Sequence, residues 1–173
     1  MSPLEAEGNF AIREATTDLG HPVSVYRVTN PEHITPASRD AEESFLRQAG
    51  ATNGVVHLAG PDPTYNCHGW VFACGRGWIQ GNDVEAILSD NGYEQTKQPT
   101  AGDIIVYRDS NGAIVHTGFV RTVLPDGAVL VESKWCHFGR FIHLAGQYHD
   151  QHTVLSYYHT SRTGHQLNNA DVE

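Results

Sequence analysis

Three cysteines are the candidates for thiol chemistry, and the sequence around Cys67 favours that residue. Cys67 follows a loop stiffened by Pro61 and Pro63 and begins a predicted helix, whose unpaired amides and dipole stabilise an anion. The Cys67 amide can also donate to a developing oxyanion. A small buried core residue is the usual fate of a lone cysteine. Cys74, in the body of the helix, fits that interpretation better, and Cys136 after a later strand gives no signal.

A thiol nucleophile needs a base, and among eleven histidines His116 stands out. It interrupts an apolar strand and shares a strand face with Ile114, Gly118 and Val120, so its side chain is expected to point inward. A satisfied core histidine is the alternative for such a residue. The candidate nucleophile on a preceding helix, and the room that Gly118 leaves for that helix or a substrate, favour a base.

Glu132, on the strand after His116, is the candidate for a third group that orients the imidazole. The alternative is an exposed strand face on which Glu132 and Lys134 are both solvated. A symmetric turn at Pro125 and Asp126 places His116 opposite Trp135 and puts Ser133, rather than Glu132, on its face. A bulge at Gly127 shifts the register by one residue and brings Glu132 into place.

The spacing of apolar residues in the elements that must position these side chains changes from helical to alternating halfway along the chain. Helical patterns come first, over about 36–49, from Cys67 onward and over 82–90 behind an Asn-x-x-Glu capping box. Alternating apolar strands follow, with turn signals at 109–112 and 125–127. This order predicts an α+β fold with N-terminal helices packed on an antiparallel sheet. We expect an irregular arm over 1–20, one catalytic domain over 21–160 and a flexible polar tail over 161–173.

Three segments carry a family resemblance: Tyr65-Asn66-Cys67-x-Gly69-Trp70-Val71, Pro99-x-x-Gly102-Asp103-Ile104-Ile105-Val106-Tyr107 and His116-Thr117-Gly118-Phe119-Val120. Together they resemble the NlpC/p60 and CHAP superfamily of papain-like cysteine peptidases and amidases. The likeness covers about residues 60–135 and implies a papain-like fold, Cys67 as nucleophile and His116 as base. A Glu-x-x-Trp strand ending similar to the CHAP arrangement supports Glu132 as third residue.

The resemblance also implies the residues that line the oxyanion and substrate site. Tyr65 is similar to a tyrosine near the oxyanion in some members, and the family motifs bring Asn66, Trp70 and Trp135 to the same site. His68 and Trp70 depart from the pattern, since a small serine and a smaller apolar residue are common at their positions.

Composition excludes several classes of protein. The formal charge is −9 with only 11 lysines and arginines, which argues against a nucleic-acid or membrane-surface partner. No apolar run is long enough to span a bilayer, and the first nine residues lack a secretory signal pattern. Three cysteines are an odd number and too few for a disulfide scaffold, so at least one thiol is free or pairs with another chain. We expect a cytoplasmic protein, or one exported without a classical signal peptide.

No metal or organic cofactor is expected. The histidines of the C-terminal third lack the tight spacing of a zinc motif and are interpreted as scattered surface residues. The expected partner is a peptide or protein substrate whose amide bond, in a peptidoglycan peptide or in a γ-glutamyl or isopeptide linkage, is cleaved through a thioester. A toxin-type deamidase or acyltransferase, with an immunity or inhibitor protein as a further partner, is one alternative. An inactive binding module is another.

Overall fold

The computed structural model describes residues 9–31, 39–48, 53–147 and 153–170. Nine strands and three helices lie within these ranges. In chain order they are β1 (Phe10–Thr16), β2 (Pro22–Val28), α1 (Arg39–Gln48), β3 (Val56–Ala59), α2 (Cys67–Phe72), α3 (Gly81–Asp90), β4 (Glu94–Thr96), β5 (Ile104–Arg108), β6 (Ile114–Val123), β7 (Val129–Lys134), β8 (Arg140–Leu144) and β9 (Val154–His159).

Seven strands form one sheet in the order β3-β8-β7-β6-β5-β9-β4, and β1 pairs with β2 in a separate two-stranded sheet. Every strand pair is antiparallel. The predicted α+β class with an antiparallel sheet is therefore confirmed. The predicted arrangement, with N-terminal helices packed on the sheet, is not, because the described chain opens with the β1–β2 hairpin before any helix.

Two short turns produce the central meander β5-β6-β7, as their sequences predict. The Asp109 carboxylate accepts hydrogen bonds from the backbone N–H groups of Asn111 and Ala113, and Gly112 supplies a φ of +83°. In the next turn Asp126 accepts from the N–H of Ala128, and Gly127 has a φ of +85°. Aspartate and glycine thus close each hairpin by local bonding and by left-handed backbone.

The main core lies where α2, α3 and the β1–β2 hairpin meet one face of the large sheet. It contains the buried side chains of Val25, Phe72, Ile79, Ile87 and Ile104. Contacts of α2 and α3 with β6 hold both helices against the strand that carries His116. A smaller cluster of Ile105, Tyr107, Val131 and Ala145 covers the opposite face. The central strands are therefore fixed from both sides.

Two described stretches near the ends of the chain are more ordered than the sequence predicts. Residues 10–16 form β1, so an irregular arm is wrong for that stretch. The described part of the tail, 161–170, packs on the protein rather than hanging free. Leu167 and Ala170 are buried in the main core, and Asn168 forms a backbone bridge with Thr16. Polar composition hid the two apolar anchors that hold this segment.

Two helix boundaries also differ in detail. Helix α3 begins at Gly81 behind Gln80, which makes no side-chain capping bond, so the predicted capping box at Asn82 is wrong. Its end before Asn91 agrees with the predicted stop. Both ends of the helix predicted over about 36–49 lie outside the described residues.

None of the helices in the described ranges is both long and apolar enough to cross a membrane.

Candidate active site

Cys67 is the first residue of α2, and Asn66 is the residue that fixes it there. The Asn66 side-chain oxygen accepts hydrogen bonds from the N–H groups of Gly69 (2.8 Å) and Ile79 (3.2 Å). Its amide nitrogen donates to the Ile79 carbonyl at 2.8 Å. Asn66 thus caps the helix and ties it to the following loop, which gives Cys67 the loop-to-helix position that the sequence predicts.

Gly69 permits the close approach of that loop. A Cβ atom at this position would lie 1.7 Å from the Gly77 carbonyl oxygen, a distance that no side chain can tolerate. Glycine is therefore required two residues after the cysteine because backbone packs on backbone there.

Burial dominates the electrostatics of Cys67, a residue that is only 5% exposed. It raises the pKa of Cys67 to about 11, against the predicted lowering by the helix start. Hydrogen bonding from the backbone of Thr117 lowers the pKa, the nearby Cys136 raises it, and the backbone of His68 and Cys67 itself lowers it. The resting thiol is therefore protonated at neutral pH, and its activation must accompany the reaction.

His116 lies near the start of β6, and its ring stacks on Trp135. The two ring centroids are 4.7 Å apart with 25° between the planes, while Tyr107 lies at 5.3 Å with a tilt of 47°. The residue itself is 6% exposed. Two aromatic neighbours thus hold the imidazole plane, a positioning that the sequence assigned to Glu132.

Cys67 and His116 line one cavity of about 340 Å³. Aromatic side chains dominate its wall, and no aspartate, glutamate, lysine or arginine belongs to the wall in the described part of the chain. The lining residues are Phe45, Asn66, Cys67, His68, Trp78, Val115, His116, Trp135, Cys136 and Phe138. The structure therefore brings the predicted nucleophile and base together in a pocket with an uncharged wall.

Glu132 is not among the residues that line this cavity. The register shift in the β6–β7 hairpin lies between Val120 and Thr122, and beyond it the strands pair as a symmetric turn places them, not as the alternative with a bulge at Gly127 requires. This register pairs Ser133 with Gly118, on the face of His116, and Glu132 with Phe119, on the other face. The Glu132 carboxylate binds Arg121 and, at 3.2 Å, Arg140. Orientation of His116 by Glu132 stays a prediction that this geometry does not support.

The four residues predicted to line the oxyanion and substrate site divide into two pairs. Asn66 and Trp135 line the cavity. Trp70 packs edge-on against Phe119, with centroids 4.8 Å apart, and Tyr65 lies under the Lys134 ammonium; neither of the two lines the cavity.

Sequence reasoning missed several wall residues, of which His68 is the most informative. Its Nδ1 lies 3.0 Å from the Thr117 hydroxyl, and burial lowers its pKa to about 4. His68 is therefore neutral at physiological pH. Trp78, also missed, donates from Nε1 to the Pro63 carbonyl at 2.9 Å and so anchors the proline loop. His68 gave two signals, its adjacency to Cys67 and its departure from the family pattern, whereas Trp78 gave none.

No group of three or more histidine, cysteine or acidic side chains is arranged to hold a metal ion within 9–31, 39–48, 53–147 and 153–170. Of the C-terminal histidines, His143 lies 2.7 Å from the Ser133 hydroxyl and His159 lies 2.7 Å from the Asp103 carboxylate. His149 and His152 lie outside the described residues.

Comparison with protein families gives one match. The model of the CHAP domain matches residues 59–134, a stretch that includes both Cys67 and His116. No curated protein and no solved structure matches the chain. CHAP domains are generally hydrolytic amidases and peptidases. Residues 59–134 are therefore identified as a CHAP domain, a member of the NlpC/p60–CHAP superfamily of papain-like amidases and peptidases.

Proposed function

We propose that the protein is a cysteine hydrolase that cleaves an amide bond, with Cys67 as nucleophile and His116 as general base and acid. The observation that carries this proposal is the shared cavity, because α2 and β6 supply the two side chains separately and the fold brings them to one wall. A thiol nucleophile and an imidazole base in one pocket are the two groups that acyl transfer through a thioester requires.

The reaction begins from a neutral thiol. With a pKa of about 11, on the order of 10⁻⁴ of Cys67 is thiolate at pH 7. His116 takes the thiol proton as sulfur attacks the carbonyl carbon, and it gives that proton to the leaving amine. The N–H groups of Cys67 and His68, beside the sulfur at the start of α2, are the donors we assign to the oxyanion. Water, deprotonated by His116, then attacks the thioester carbonyl, and His116 returns that proton to the departing Cys67 sulfur, which restores the resting thiol.

The composition of the cavity wall favours a substrate with an uncharged group next to the scissile bond. Phe45, Trp78, Trp135 and Phe138 offer apolar surface, and a free carboxylate or ammonium would lose hydration there without an ionic partner in the described wall. A neutral residue within a peptide or isopeptide, or a glutamine side chain on a protein, meets this requirement. A peptide or protein is therefore the substrate class we propose.

The test is a panel of murein peptides, γ-glutamyl and isopeptide substrates, and glutamine-containing proteins. Wild-type protein is expected to cleave a member with an uncharged acyl group and to form a thioester on Cys67 that mass spectrometry detects. Cys67→Ser and His116→Ala should each lower kcat/KM by about 10³-fold or more. Cys74→Ser, the matched control at an exposed cysteine in the same region, should retain full activity.

Retained hydrolysis in Cys67→Ser would contradict the proposal. Ammonia released from protein glutamine, with no peptide cleavage, identifies instead the deamidase or acyltransferase alternative, for which a dedicated inhibitor or immunity protein is the expected partner. Absence of both turnover and acylation across the whole panel identifies an inactive binding module.

A further inference from the structure

Lys134, the last residue of β7, is completely buried, and its hydrogen bonds are those of an ammonium. Nζ donates to the carbonyl oxygens of Asp62 (2.7 Å), Cys136 (2.8 Å) and Phe138 (2.6 Å). Three acceptors match the three N–H groups of the charged form, whereas a neutral amine has only two. The geometry thus describes a protonated lysine.

These carbonyls belong to the two loops that flank the cavity. Asp62 lies in the loop that leads into Cys67, and Cys136 and Phe138 lie in the turn between β7 and β8. Nζ also stands 4.8 Å from the ring centroid of Tyr65, where the π face attracts a cation. One side chain therefore ties the segment before the nucleophile to the opposite wall.

The same charge lies close to the Cys67 thiol. Ser133 pairs with Gly118, so the register sets Lys134 beside Thr117, whose backbone hydrogen-bonds to the thiol. Burial lowers the pKa of Lys134 to about 8, whereas the negative forms of neighbouring groups raise it. In descending order these neighbours are Asp62, Cys136, Cys67 and Glu42. Lys134 is therefore a cation at neutral pH within electrostatic reach of Cys67.

The other charged groups that the structure describes around the site have local partners of their own. The Asp62 carboxylate accepts from the N–H and hydroxyl of Thr64, and Glu42 from the N–H of Gly139 and from His57. Arg140 and Arg121 bind Glu132. Lys134 is thus the cation whose partners are the loops of the cavity itself.

We propose that Lys134 is a positioning residue of this site: its buried ammonium fixes the two loops that wall the cavity and supplies the positive charge that favours the Cys67 thiolate. This inference rests on the proposed role of Cys67 as nucleophile. When sulfur loses its proton to His116, a nearby fixed cation stabilises the resulting anion without moving.

The test compares alkylation of Cys67 by iodoacetate and by iodoacetamide, followed over hours at pH 7 by mass spectrometry of the labelled site. The reagents are similar in size, so a looser cavity changes both rates, whereas loss of a local cation slows the anionic reagent more. Lys134→Gln should lower the iodoacetate-to-iodoacetamide rate ratio at Cys67 by about threefold or more. It should also slow the iodoacetamide reaction about tenfold, as for one unit of thiol pKa.

The sequence has only one other lysine, the exposed Lys97, so Lys97→Gln is the matched control and should change neither rate. A folded Lys134→Gln variant with the wild-type rate ratio would overturn the inference. In that case hydrolysis that still depends on Cys67 leaves the proposed function standing. Conversely, hydrolysis that survives in Cys67→Ser removes the proposed function by a separate measurement.

A measurement on the wild-type protein keeps the inference testable if Lys134→Gln does not fold. Nitrogen-15 NMR of the two lysine side chains should show that one ammonium, that of Lys134, is protected from solvent exchange at pH 7. The ammonium of the surface residue Lys97 should exchange freely. The protected Lys134 signal should shift to the neutral amine as the pH rises through about 8. Its absence at pH 7 would overturn the inference.

Discussion

Two charged side chains of β7, Glu132 and Lys134, are both buried on the same face of the sheet, and each is compensated differently. Glu132 is 1% exposed and binds two arginine side chains, Arg121 and Arg140. Lys134 is 0% exposed and binds three backbone carbonyls. The two residues are only two positions apart, but their different surroundings give them different structural roles.

The difference lies in what remains when a charge is removed. The arginine side chains are 53% and 31% exposed, so without Glu132 they can turn to water. The carbonyls around Lys134 belong to loops that wall the cavity, and they cannot rehydrate unless those loops move. Glu132 therefore stabilises a local part of the sheet, whereas Lys134 couples sheet stability to the shape of the site.

The largest expected effect is that of Lys134→Met, which keeps the volume and deletes the donors. Three carbonyls lose a charged partner, so we expect a loss of about 3–5 kcal/mol in the free energy of unfolding. Urea denaturation measures it, with Lys97→Met as the surface control. A loss below about 1 kcal/mol contradicts the tethering role.

The next effect concerns His68, a buried group of the cavity that, unlike the two β7 residues, is kept neutral. Its folded-state pKa of about 4 lies below the ordinary 6.5, so the unfolded chain takes up the proton first as pH falls. The neutral His68 ring therefore makes its full contribution to the free energy of unfolding above pH 6.5. That contribution falls by roughly 3 kcal/mol between pH 6.5 and pH 4.

Urea unfolding at pH 7 and at pH 4 measures this effect as a difference between variants. His68→Gln should remove most of the extra acid sensitivity, whereas His21→Gln at an exposed position should leave it unchanged. The same pH dependence of unfolding in wild type and His68→Gln would contradict the assignment of the acid sensitivity to His68.

The smallest effect is the coupling of the two arginines through Glu132. Arg121→Met and Arg140→Met should each cost about 1 kcal/mol or less, because the remaining arginine still compensates Glu132 and both side chains are partly exposed. The double variant leaves a buried carboxylate unpaired, so its cost should exceed the sum by about 1 kcal/mol. A double-mutant cycle by urea denaturation checks this, and additive costs contradict the shared partner. Cys67 alkylation should be unchanged in all three proteins.

Local chemistry made much of the site predictable. The Asn66-Cys67-x-Gly69 segment predicted a loop-to-helix transition, and its capping bonds and the contact of Gly69 with the Gly77 carbonyl are the local reasons. His116 stood out because a polar ring interrupts an apolar strand. The two hairpin turns were likewise encoded in a few adjacent residues.

The sequence left two registers open, and the one that places Ser133 rather than Glu132 on the face of His116 is the one that the structure has. A shift of one residue moves a strand side chain to the opposite face, and the shift occurred between Val120 and Thr122, where no glycine marks it. The environment of Cys67 was equally inaccessible. A helix start lowers a thiol pKa, but burial, which depends on contacts across the fold, outweighed it and raised the value to about 11.

The sequence by itself thus determined the candidate nucleophile, the candidate base and the antiparallel α+β class, because short-range bonding and alternation encode them. Only the tertiary structure decided that Trp135 rather than Glu132 lies against His116, and that Lys134 is buried rather than solvated. Packing and desolvation depend on residues far apart in the chain, so a strand pattern that allows either face cannot state which charge the fold encloses.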